Sequence, residues 1–224
     1  YGTGFSGFSK KSSFAKRLNL QIYNVGYESF TPTWTYDAVF AVNVVEHLPD
    51  WRHFFDSVRR TMKKNAVCYI LCPNYGFPFE PHFCLPVVGR KSQMEKLFRR
   101  RIAHVEEKYN VSGLWRSLNF IKLREIKSYA RLISMDIVVR REIVDMMLDR
   151  QQYDTAYKKY MGTVGLIGYV LKRIGFTRIF MLKFFEDYHP YIFLEVRNAA
   201  EEIFSPLSGF KSVKNGLYLS VVEK

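Results

Sequence analysis

From Tyr36 to Val42 the chain reads Tyr-Asp-Ala-Val-Phe-Ala-Val, with no polar alternation after Asp37. That length and composition suit a parallel strand buried on both faces. Pro49-Asp50 follows, and then Trp51, Phe54, Phe55 and Val58 at spacings that line one face of a helix. Asp50 is placed to cap that helix. Lys63-Lys64-Asn65 is placed to close it, because cations and Asn suit a helix C-terminus. Ala66 to Cys72 is a second continuous apolar strand, ended by Pro73-Asn74. Strand, short helix and strand with tight connections predict a βαβ unit with a right-handed crossover. Ligands of such α/β folds sit at the carboxyl ends of the strands.

Elsewhere the periodicity predicts a short helix over 14–20 and a short strand over 21–25. The segment 77–86, rich in Pro and aromatic residues, is expected to be a loop. Helices are expected over 92–108, 123–134, 138–150 and 165–174, the last stopped by Gly175-Phe176. Strands are expected over 179–185, 191–196 and 217–222. The stretch from Phe77 to Tyr160 is too long for a single crossover. It reads as a helical insertion or lid over the carboxyl end of the sheet, between an α/β core segment (1–76) and the rest of that core (161–224).

Composition adds a charge. In 224 residues, 34 Lys and Arg face 21 Asp and Glu, a formal net charge of +13. This favours anionic partners such as phosphorylated substrates, nucleic acid or an anionic lipid face, and says nothing of the fold. Three cysteines, Cys68, Cys72 and Cys84, are too few for a disulfide scaffold, so reduced thiols and a cytoplasmic setting are expected. No run reaches the roughly 18 uncharged apolar residues of a spanning helix. The stretch from Leu166 to Phe185, apolar residues interleaved with Lys and Arg, is at most a peripheral membrane contact. The chain opens at Tyr1, inside a glycine-rich stretch, and reads as a fragment or as a chain lacking residues before Tyr1 and between Gly4 and Asp37.

The segment Tyr36 to Asp50, with its Asn43-Val44-Val45-Glu46-His47, resembles the fourth strand and following loop of class I S-adenosylmethionine-dependent methyltransferases. Met62-Lys63-Lys64-Asn65, the strand after it and Cys72-Pro73-Asn74 resemble the turn, fifth strand and strand end of that family. Gly2-Thr3-Gly4-Phe5-Ser6-Gly7 resembles the back half of its glycine loop. Gly175-Phe176 resembles the "GF" before its sixth strand, with Gly209-Phe210 competing for that place. The resemblance implies a Rossmann-like, mostly parallel sheet with a helical insertion after the fifth strand. It also implies S-adenosylmethionine as cofactor, bordered by Gly2, Gly4, Asn43, Val44, Glu46 and His47. The family's first strand, and the carboxylate that ends its second and binds the ribose, have no match here. Glu28 is the sole carboxylate between Gly4 and Asp37.

Methyl transfer to a hydroxyl requires an in-line approach and removal of the hydroxyl proton. A histidine suits that task, since its charge changes near neutral pH. Pro78-Phe79-Glu80-Pro81-His82 follows the second strand, so Glu80 and His82 would overhang the methyl site. His82 is the candidate base or acceptor-orienting group, and its alternative is a loop histidine bonded to backbone. His189 reads as a turn residue, and His53 and His104 as solvent-facing. Zinc-type Cys-x-x-Cys spacing is lacking and the cysteines read as core residues, so no metal site is expected.

Three functions stay open at this stage. The first is O-methylation of a small hydroxylated or sugar acceptor. The second is RNA methylation, prompted by the charge and by Arg99-Arg100-Arg101. The third is a methyltransferase-like, non-catalytic binding module.

Overall fold

The computed structural model describes residues 34–198 together with two short strands, β1 (Gln21–Asn24) and β8 (Tyr218–Val221), which pair parallel with each other. The main sheet has four strands in the order β2 (Tyr36–Val42), β3 (Met62–Pro73), β7 (Tyr191–Asn198), β6 (Met135–Val139). β2 and β3 run parallel, joined through helix α1 (Trp51–Thr61), as the βαβ pattern predicts. β7 is antiparallel to both of its neighbours, so three of the four strands point one way. The protein is mixed α/β.

Local chemistry accounts for the crossover. The Asp50 carboxylate accepts from the backbone N–H groups of Arg52 (3.0 Å) and His53 (3.3 Å), worth about 1 kcal/mol as an N-cap. Trp51, Phe55 and Val58 are buried and Phe54 is half-buried, so the predicted stripe packs on the sheet. Helix α4 (Leu123–Leu132) lies beside α1. Tyr129 stands edge-on to Trp51 with ring centroids 5.5 Å apart, and its hydroxyl donates to the Asp56 carboxylate at 2.9 Å.

Residues 75–120 build a second core over the strand ends. It holds the hairpin β4 (Phe79–Glu80) and β5 (Leu85–Pro86) and the helices α2 (Lys91–Tyr109) and α3 (Leu114–Ser117). Tyr75, Phe83, Met94, Val105, Trp115 and Leu118 are buried together there. Helices α5 (Ile143–Tyr153) and α6 (Thr155–Arg173) follow, the latter kinked at Gly162. Among the described residues, no helix is long and apolar enough to cross a membrane.

Several expectations are corrected. Lys63-Lys64-Asn65 does not close helix α1, which ends at Thr61; these residues already lie in β3. The strands β2 and β3 are not buried on both faces. Cys68, Ile70 and Cys72 are wholly buried, whereas Phe40 is 58% and Val42 54% exposed on β2, which is at the edge among the described strands. The helix expected over 138–150 is a strand ending at Val139 and a helix starting at Ile143. Val138 and Val139, β-branched, pair with Glu195 and Leu194. The segment 179–185 is not a strand. Two 3-10 turns, Phe176–Met181 and Lys183–Tyr188, occupy it. No strand follows Gly175-Phe176 there, and the far strand of the sheet is β6, which comes from within the stretch 77–160. Gly175 does stop the helix, at φ 77°. Finally, Cys84 is exposed, at φ 53° in the loop before β5, while Cys68 and Cys72 are buried as expected. Gly209-Phe210 lies outside the described residues.

Candidate functional site

β2 and β3 finish side by side. Val42 pairs with Leu71, and one residue on, the Asn43 N–H donates to the Leu71 carbonyl at 2.7 Å. Asn43 adopts φ 52°, a left-handed conformation Asn tolerates, and the chain swings into the 3-10 turn Val45–His47. Asn43 is exposed, Val44 and His47 are half-buried, and Val45 and Glu46 are fully buried. Asn119, from the second core, clamps this turn. Its side-chain amide donates to the carbonyls of Val45 (2.7 Å) and Leu48 (2.9 Å), and its N–H to that of Glu46 (2.8 Å).

Beyond β3, Asn74 is 1% exposed and makes the opposite kind of strand end. Its amide donates to the carbonyls of Asp187 (2.9 Å) and His189 (2.8 Å), and its Oδ1 accepts from the N–H groups of Gly76 (2.9 Å) and Leu123 (3.3 Å). All its polar capacity is spent on the fold. The chain passes so close here that a Cβ on Gly76 would stand 2.6 Å from the Asp187 carbonyl oxygen.

The loop then returns over the strand ends and delivers Glu80 and His82. Glu80 is fully buried and satisfied. Its Oε1 accepts from the His82 N–H (3.0 Å) and the Tyr75 hydroxyl (3.3 Å), and its Oε2 from the Phe83 N–H (2.7 Å). Oε1 also lies 2.7 Å from His82 Nδ1. A carboxylate there assigns the proton to Nδ1 and leaves Nε2 as the basic nitrogen of the ring. The predicted pair is therefore a carboxylate–imidazole dyad. Tyr75 stays a proton donor, since burial first, and then the charges of Glu80 and Glu46, raise its pKa.

The turn and the loop meet. The rings of His47 and His82 are 5.5 Å apart, edge to face, and His47 Nδ1 is 2.8 Å from the Ser117 hydroxyl. Glu46 Oε1 is 3.8 Å from His47 Nε2, beyond hydrogen-bond reach, and neither Glu46 oxygen has a hydrogen-bond partner. Burial pushes the Glu46 carboxyl up to about 7; its own backbone N–H, too poorly placed for a hydrogen bond, and the charge of His82 oppose the rise, and the charge of Glu80 adds to it. Glu46, His47 and His82 bring ligand-type atoms within 4.8 Å of one another.

Of the residues expected to form a site, Asn43, Val44, Glu46, His47, Glu80 and His82 thus gather at one edge. Gly2 and Gly4 lie outside the described residues. His104 is exposed as expected, His53 is half-buried rather than solvent-facing, and His189, just past the 3-10 turn Lys183–Tyr188, is fully buried. Arg99 and Arg100 are exposed on α2, beyond a kink at Phe98, and Arg101 donates to the Phe83 carbonyl (3.3 Å). Sequence reasoning missed Tyr75, Ser117 and Asn119. Tyr75, next to the Pro73-Asn74 strand end, could have been suspected. The other two meet their partners across some 70 residues and carry no local signal.

No family model matches the chain. Two uncharacterized proteins of Mycobacterium tuberculosis, MT1557 of strain CDC 1551 and Rv1509 of strain H37Rv, are each 34% identical to it over 136 residues. The match covers 58% of this chain and 45% of each relative, so the chain matches less than half of their length. Among solved structures, Haemonchus contortus phosphoethanolamine N-methyltransferase 2 resembles it in two complexes. The complex with phosphomonomethylethanolamine and S-adenosylhomocysteine gives a TM-score of 0.35 at 14% identity, covering 74% of this chain and 34% of that one. The complex with S-adenosyl-L-methionine gives 0.37 at 14%, covering 77% and 35%.

Proposed function

We propose that this chain carries part of an S-adenosylmethionine-dependent methyltransferase that methylates a hydroxyl of a small or sugar acceptor. The supporting observation is the meeting of two chain segments at one sheet edge. The parallel strands β2 and β3 end together, and the Glu80–His82 dyad hangs over the turn 43–47. The order β2-β3-β7-β6 with β7 reversed is the sheet in which we place the Rossmann-like half of such an enzyme.

The turn fits the cofactor in kind. It offers an exposed amide at Asn43 and half-buried surface at Val44 and His47, polar and apolar groups for an adenosyl compound. S-adenosylmethionine supplies an electrophilic methyl group on sulfur. The chain's own task is to hold the acceptor oxygen in line with that methyl and to take its proton as the carbon–oxygen bond forms. His82 Nε2 accepts the proton, and Glu80, anchored by Tyr75 and the Phe83 N–H, holds the ring in the right tautomer and steadies its charged form.

Calorimetry with S-adenosylhomocysteine tests the reading, and no detectable binding by the chain counts against it. His82→Ala is expected to lower turnover by about a hundredfold or more while leaving cofactor affinity within a few-fold. Unchanged turnover removes His82 from the mechanism.

A further inference from the structure

We infer that Glu46, His47 and His82 form a binding site for one divalent transition-metal ion of the zinc class. Three observations carry this. The first is the donor set: two imidazoles and a carboxylate with their ligand atoms inside 4.8 Å. Two His and one Glu are a combination that binds Zn²⁺ and its first-row neighbours, with an open position left for a water or a substrate oxygen.

The second is what lies behind the ligands. His82 Nδ1 faces Glu80 at 2.7 Å and His47 Nδ1 faces the Ser117 hydroxyl at 2.8 Å. Metal-binding imidazoles are held this way by the nitrogen that does not ligate, which fixes the ring. Here both rings have the arrangement.

The third is Glu46 itself. Its side chain is wholly buried and neither carboxylate oxygen has a hydrogen-bond partner. Among buried acids this is costly, and Glu80, equally buried, shows how the same fold satisfies one. A cation bridging Glu46 to the two imidazoles supplies what the protein withholds. Ligand atoms around a zinc-sized ion stand about 3.4 Å apart, so the cluster must draw in by roughly an ångström. Glu46 Oε1 and His47 Nε2, at 3.8 Å, are already close to that spacing.

A bound ion changes the task of His82. Once ligated through Nε2 the ring takes up no proton, and a hydroxyl on the open position would lose its proton to solvent more readily because the ion stabilises the oxyanion. The metal-free and metal-loaded forms would use the same dyad differently.

The test is a Co²⁺ titration of the chelator-treated chain, followed by visible absorption in buffer free of any S-adenosyl compound. One equivalent should bind, with the strong d–d bands of a low-coordinate site. Zn²⁺ should displace it, and Mg²⁺ should not, even in large excess. Glu46→Gln and His82→Ala should each weaken Co²⁺ binding by about a hundredfold, and Glu80→Gln by about tenfold, with the circular dichroism unchanged. His104→Ala, on the exposed face of α2, should change nothing. No uptake of Co²⁺ overturns the proposal, as does uptake that Glu46→Gln and His82→Ala leave intact or that Mg²⁺ displaces as readily as Zn²⁺. A chain that binds Co²⁺ but not S-adenosylhomocysteine keeps this site and loses the methyltransferase reading, and the converse result separates them the other way.

Discussion

The turn after β2 and the loop after β3 each bury a glutamate completely, and they treat it in opposite ways. Glu80 in the loop accepts from two backbone N–H groups and a tyrosine hydroxyl and faces an imidazole. Glu46 in the turn, equally buried, accepts from no such donor, and its Oε1 stands 3.8 Å from His47 Nε2, beyond hydrogen-bond reach. A carboxylate held by three donors is part of the scaffold; one left bare at the rim of the same edge is a group waiting for a counter-charge. The contrast separates what builds the site from what the site is built to present.

Breaking the satisfied side should have the larger effect. Glu80→Ala strands the Tyr75 hydroxyl and the Phe83 and His82 N–H groups at once, and should cost about 3–5 kcal/mol in a denaturant unfolding curve. A loss below about 1 kcal/mol would erase the distinction between the two acids. Asn74→Ala should come next, at about 2–3 kcal/mol, since it removes three hydrogen bonds that tie the end of β3 to Leu123, Asp187 and His189 and a fourth to the Gly76 N–H. Asn119→Ala, which frees the carbonyls of Val45 and Leu48, should cost about 1–2 kcal/mol, and its effect on Co²⁺ affinity should exceed that of Asn74→Ala.

The smallest effect should have the opposite sign. Glu46→Gln removes a buried charge that no side-chain donor satisfies and that His82 offsets only in part, so the metal-free variant should be more stable than the parent by about 1–2 kcal/mol at pH 8. Destabilisation there would mean that Glu46 has a structural partner and belongs with Glu80.

How much of this the sequence shows depends on the range of the forces involved. The crossover Tyr36–Pro73 is legible because its causes are local: an apolar run, an N-cap at Asp50, a helical stripe through Trp51, Phe55 and Val58. Glu80 and His82 are legible for the same reason, being two residues apart just past a strand end. β6 is not, because Met135–Val139 owes its extended form to pairing with β7, nearly 60 residues away, and its Val-Val ending flows into a helix without a break. The two-sided burial expected of β2 fails likewise, since an apolar strand does not reveal its place in the sheet. Nor does Glu46 announce that it is bare. A lone Glu-His pair reads equally well as a cap, and the lack of a partner becomes visible when the chains around it are in place.

Asn119 carries a mechanical consequence. It belongs to the second core, beside Phe120, whose ring stacks on Tyr75 at 4.2 Å, yet it grips the turn that holds Glu46 from three points. The roof and the floor of the edge are therefore stapled together, and the roof cannot swing up like a hinged door without dragging the floor along. A ligand at this edge would meet roof and floor as one piece, and loosening Asn119 should loosen both together.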